Sequence, residues 1–134
     1  MAGGGERVSD TAAMIAGMSP ALDPERWCFV TVTPEQAPRL LGSAIGTFRE
    51  AEGVSAIVPA EMTDGADPVF RRITLQVLSD LEGHGLTAAV ASALSEAGIA
   101  CNMVAAYHHD HAFVPEARAD EALAILQALA ASHS

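Results

Sequence analysis

The sequence contains no lysine. Its seven basic residues are all arginine, set against 17 acidic ones, for a formal net charge of −10. Only Arg71 and Arg72 are adjacent. Binding to a phosphate backbone needs a positive face, and this pattern supplies none, which excludes nucleic acid as the partner. Aromatic residues are scarce as well: one Trp, one Tyr and four Phe in 134 residues. A core must therefore be built from Ala, Val, Leu and Ile, and with 50% of the residues apolar there are enough to fill one. Cysteine is limited to Cys28 and Cys101, each inside an apolar run. Two are too few for a disulfide scaffold, and they read as buried thiols in a reducing compartment. No apolar run approaches the roughly 20 residues of a membrane span. The opening MAGGGERVSD lacks the basic start and apolar centre of a secretory leader. Neither G-x-x-x-x-G-K nor G-x-G-x-x-G occurs, so no nucleotide or other cofactor is expected. The expectation is a cytoplasmic chain without membrane contact, folded as one domain or as two very small units sharing a core.

What is present is a clear alternation of periods. DTAAMIAGM (10–18) predicts a short helix capped by Asp10 and stopped by Ser19-Pro20. WCFVTVT (27–33) alternates Cys28, Val30 and Val32 with Phe29, Thr31 and Thr33, a strand. FREAEGVSAIVPA (48–60) predicts two strands joined by a tight turn at Gly53. EMTDGADP (61–68) is the best internal boundary. In VFRRITLQVLSD (69–80), Ile73, Leu75 and Val77 share one face of a strand. In LTAAVASALSEA (86–97), Leu86, Ala89, Val90, Ala93, Leu94 and Ala97 share one face of a helix, with Gly98 as its stop. Residues 101–108 and 111–114 read as a hairpin, and Pro115 starts a last helix to about Ala131. This order gives an α+β fold, ferredoxin-like, with antiparallel strands and helices on one face. The division expected is a tail with a short helix (1–19), a first, abbreviated unit (20–65) and a second unit (66–134). The second unit lacks a closing strand, and the 27–33 strand is a candidate to fill that edge.

LSDLEGHGLTAAVASALSEAGIACNMVAAYHHDHAFV (78–114) resembles an ACT domain, with Asp80, Gly85-Leu86, Gly98-Ile99 and Asn102 in the motif positions. His84 stands where a proline often precedes the Gly-Leu pair. TFREAEG (47–53), ITLQV (73–77), GLTAA (85–89) and YHHDHAFV (107–114) are more narrowly similar to a bacterial family of small stand-alone tandem ACT-like proteins. The resemblance implies a regulatory protein, commonly a homodimer, that binds an amino acid at the loop between first strand and first helix. On this chain that loop carries Ser79, Asp80, Gly83, Gly85, Leu86 and Thr87, with Asn102 on the next strand.

The chemistry of the loop agrees with that role. Glycines let backbone approach a ligand, free N–H groups at a helix start suit a carboxylate, and Asp80 suits an ammonium. The same residues also make sense as nothing more than a tight turn with Asp80 as a cap. A ligand-free interaction module, pairing through exposed strand edges, is the alternative function, and a metal-dependent activity centred on the His108–His111 cluster is the third.

AAYHHDHAFVP (105–115) places His108, His109 and His111 around Asp110. His109, Asp110 and His111 are the candidate metal ligands, but H-H-D-H matches no metal signature, and a hairpin tip is the plainer reading. No nucleophile, base and orienting group fall together, so no catalytic residues are assigned and the chain does not read as an enzyme.

Overall fold

The computed structural model describes residues 10–77 and 85–134. Their elements run α1 (Thr11–Ala16), β1 (Ala21–Val32), α2 (Ala37–Leu40), β2 (Gly46–Glu50), β3 (Gly53–Pro59), β4 (Phe70–Leu75), α3 (Leu86–Glu96), β5 (Asn102–Ala105), β6 (Asp110–Pro115) and α4 (Ala119–Ala131). The six strands form one antiparallel sheet in the order β2-β3-β1-β4-β6-β5.

The order answers the missing-strand question. The second unit, β4-α3-β5-β6-α4, leaves one side of β4 open, and β1 pairs along it through Ala21↔Thr74, Leu22↔Ile73, Arg26↔Arg71 and Trp27↔Phe70. The first unit, β1-α2-β2-β3, is closed by β4 in return. Each unit thus borrows the other's first strand. A local repeat marks the same symmetry. Pro59 ends β3 and Pro115 ends β6 with nearly equal backbone angles, and each leads into a 3₁₀ turn, Ala60–Met62 and Glu116–Arg118. The second unit continues into α4, while the first runs directly to β4.

The cores follow from strand alternation. Ile73 and Leu75 of β4 with Ala112 and Val114 of β6 bury against Met14, Ile15, Leu86, Val90, Leu94 and Leu126 from the helices. Leu86, Val90 and Leu94 are the predicted stripe of α3, and each such burial contributes about 1.5–3 kcal/mol. α3 ends as expected at Gly98, φ +73°, where the Ile99 N–H reaches the Leu94 carbonyl at 2.9 Å. A smaller core joins Val32, Leu40, Ala56 and Val58 beneath α2.

The opposite face carries no helix among the described residues, yet Trp27 is 4% and Phe113 2% exposed. Curling of the sheet explains this. Phe29 on β1 meets Phe70 on β4 and Phe113 on β6 edge to face, at centroid distances of 5.4 and 5.3 Å. In a flat sheet β1 and β6 lie two spacings apart, about 10 Å. Phe48 of β2 and Val104 of β5, from opposite ends of the sheet order, line one recess. The helix-free face is therefore concave.

Candidate functional site

α3 begins at the strand-to-helix junction singled out in the sequence. Gly85 precedes it at φ +104°, a conformation that favours glycine. A Cβ there would stand 2.5 Å from Thr11 Cγ2, so the absent side chain also lets α1 pack against the junction. Leu86 is buried in the helix-side core and anchors the first turn, while Thr87 is exposed. Among the described residues no side chain caps this helix, and its first turn holds no acidic residue. A helix start of this kind, with its N–H groups and positive dipole end, suits an anionic group. Ser79, Asp80 and Gly83 lie outside the described residues, as does His84.

Asn102 is placed elsewhere. It opens β5 opposite Phe113, and the chain reaches it only after traversing α3. Eleven helical residues span about 16 Å, so within one chain Asn102 sits at the far end of α3 from Gly85, Leu86 and Thr87.

The histidine stretch forms a hairpin tip. Ala106 to His109 make the turn between β5 and β6, closed by the Ala106 N–H on the His109 carbonyl at 3.0 Å. Alternation puts Asp110, opposite Leu75, and His111, opposite Thr74, on different faces of the sheet. His111 Nδ1 shares a 2.9 Å hydrogen bond with Thr74 Oγ1. Burial, then the charges of Arg72 and His109, holds His111 below its ordinary pKa, with Asp110 opposing. Among the described residues His109 Nδ1 is buried without a hydrogen-bond partner, and His109 lines a recess of about 250 Å³ with Asp23, Thr74 and Gln76. Among the described residues no three His, Cys, Asp or Glu converge as metal ligands.

A polar knot on the concave face escaped the sequence reading. Asp23 sits where the β1–β4 register shifts between Leu22 and Arg26. Its carboxylate accepts from Trp27 Nε1 at 3.1 Å and from Arg72 Nε and Nη2 at 3.2 and 3.0 Å. The Arg72 guanidinium lies 5.7 Å from the Trp27 ring centre, a cation–π arrangement. Burial raises the Asp23 pKa, but the Glu25 N–H, the indole and Arg72 outweigh it and leave the carboxyl below its usual value. No sequence signal links Asp23 to Arg72, because only the strand pairing brings them together.

A further recess of about 290 Å³ lies beside α2, lined by Phe29, Leu40 and Met62 with Arg39, Asp64 and Asp67 among its polar members.

Residues 7–67 and residues 70–128 each match a family model described as ACT domain. No curated protein matches the chain. Among solved structures, a Vibrio cholerae protein of unknown function, described as a possible transport protein, is 37% identical with a TM-score of 0.72. That alignment covers 86% of this chain and 92% of that one. The ligand-free regulatory subunit of aspartate kinase from Thermus thermophilus is 10% identical with a TM-score of 0.57, over 82% of this chain and 95% of that one. At that identity the likeness is one of fold.

Proposed function

From the premise that this chain belongs to the ACT domain family and carries two such units, we propose that it is a regulatory protein that binds an amino acid. The observation that carries this reading is the α3 junction. Gly85, at positive φ, leads into a helix start that no side chain caps among the described residues. Such a start suits a carboxylate, and Asp80, five residues earlier, has the charge to take an ammonium. Ser79, Asp80, Gly83, Gly85, Leu86 and Thr87 compose the site. The fold likeness to the aspartate kinase regulatory subunit supports a regulatory role.

The protein acts as a cytoplasmic homodimer, without cofactor, nucleic acid or membrane. Asn102 is a full helix length from the junction in its own chain, so it contributes where a second copy brings the free edge of β5 alongside. Regulation follows if the ligand binds one assembly better than another. Equilibrium dialysis of wild type and Asp80→Ala with the amino acid that binds tests the assignment. Loss of binding in Asp80→Ala supports it, and unchanged affinity removes Asp80 from the site.

A ligand-free interaction module is the second reading. Phe48, on the free edge strand β2, is 72% exposed, with Ile45 at 41% and Leu41 at 39% nearby in sequence. An apolar edge of this kind suits pairing with another chain.

A further inference from the structure

The concave face holds an apolar recess of about 200 Å³. Gly46, Ile57 and Phe29 are cross-strand partners on β2, β3 and β1, and Phe48 pairs with Ser55 two residues along. Val104 of β5, which lines the same recess, packs against the cluster of Trp27, Ile57 and Phe113. In a flat sheet β3 and β5 lie four spacings apart, about 19 Å, so the recess exists only because the sheet curls. Gly46 stands on its floor without a positive φ that would call for glycine. Packing does not call for it either, since a Cβ there would meet Ile57 Cδ1 at 3.4 Å, an ordinary contact. Glycine inside a strand weakens it and marks places where another molecule approaches closely. Here its effect is to keep the recess open.

Charge sets the class of occupant. Among the described residues no charged side chain lines the recess, although the chain carries a net charge of −10. A charged ligand would lose hydration there without gaining a partner, so the occupant is neutral. The Ser55 hydroxyl donates to the Glu50 carboxylate, which commits its proton and leaves its lone pairs to accept. The same carboxylate repels an anion at the mouth. The wall is aromatic. Phe29 is held edge to face against both Phe70 and Phe113 and is still 37% exposed, so one more ring extends the cluster. An enclosed cavity of about 150 Å³ holds benzene, and about 200 Å³ has room for one ring with a small substituent. We propose that this recess binds an uncharged single-ring aromatic with one hydrogen-bond donor, a phenol. Its ring lies against Phe29, Ile57 and Val104, and its O–H donates to Ser55. A second copy of the chain is a poorer occupant, because two concave faces do not nest. The site shares no residue with the α3 junction and does not rest on the amino-acid reading.

A fluorine NMR titration of the full chain with 4-fluorophenol tests it, alongside 4-fluorotoluene, which lacks the donor, and 4-fluorobenzoate, which is anionic. Saturable binding of the phenol is expected, with the toluene weaker by about threefold to tenfold and the benzoate by at least about tenfold. Gly46→Val puts a branched side chain into the recess at a strand position that tolerates one, and it should lose at least about tenfold. Ser55→Ala should bind the phenol no better than the toluene. Gly42→Ala and Asp80→Ala, both outside the recess, should bind as wild type does. Ligand-free melting curves report whether each variant folds, and Ser55→Ala carries the test if Gly46→Val does not. Three results would overturn the proposal. The first is no saturable binding of the phenol by wild type; if Phe48→Lys then turns a dimer into a monomer, the face belongs to a second copy. The second is binding that a folded Gly46→Val leaves intact. The third is a preference for the phenol over the toluene that persists in Ser55→Ala.

Discussion

Gly85 and Thr11 are packed so closely that the missing Cβ of one is the space occupied by the methyl of the other, 2.5 Å from where that Cβ would stand. The junction at the start of α3 and the helix α1, 74 residues earlier in the chain, are therefore one packed unit. Gly85→Ala combines this overlap with a φ of +104° that an L-residue rarely adopts. It should lower unfolding free energy by about 1–3 kcal/mol, read by urea denaturation. Gly42→Ala, whose Cβ meets nothing within 4 Å, should change it by less than about 0.5 kcal/mol.

Asp23 is the acceptor for both the Trp27 indole and the Arg72 guanidinium. Asp23→Ala leaves those donors without their acceptor and should cost about 2 kcal/mol. Trp27 is the single tryptophan, so its emission reports the event directly. A native-state red shift in Asp23→Ala is expected, whereas an unchanged spectrum and midpoint would mean that water replaces the carboxylate without loss.

His111 titrates below its ordinary value of 6.5 in the folded chain. As pH falls through that value the unfolded state takes up the proton first. The contribution of neutral His111 is thus complete above pH 6.5 and is lost as pH falls toward the lowered folded value. Urea midpoints should decline across this range, and His111→Asn should flatten the slope. Asp23 acts at more acid pH: its contribution is present above the ordinary carboxyl value and is lost as pH falls through its lowered folded one.

Phe48 offers a check on assembly. Its side chain is largely solvent-exposed in the isolated chain, so Phe48→Lys should leave monomer stability within about 0.5 kcal/mol. If β2 is the dimer edge, light scattering will show the variant as a monomer where wild type is a dimer. A variant that remains dimeric would move the interface elsewhere.

Much of the fold was legible because it is written in local periods. The α3 stripe, the Gly53 turn at φ +139° and the Gly98 stop are each short-range matters of side-chain spacing and backbone freedom. β1 was read too short. Asp23-Pro24-Glu25 breaks the alternation, and only the register shift between Leu22 and Arg26 lets the strand continue through it. The concave aromatic cluster was not legible at all. Phe29 and Phe113 are 84 residues apart and meet only because a curled sheet closes over β4.

The most direct test of an amino-acid-binding regulatory protein is a thermal-shift panel of the twenty amino acids at millimolar concentration. A ligand at about 100 times its dissociation constant adds about 2.7 kcal/mol. In a chain of this size that corresponds to a rise of about 5–15 °C. A rise confined to one amino acid or one chemical group of them is the predicted result. A flat panel across all twenty would contradict it and leave the exposed β2 edge as the better guide to function.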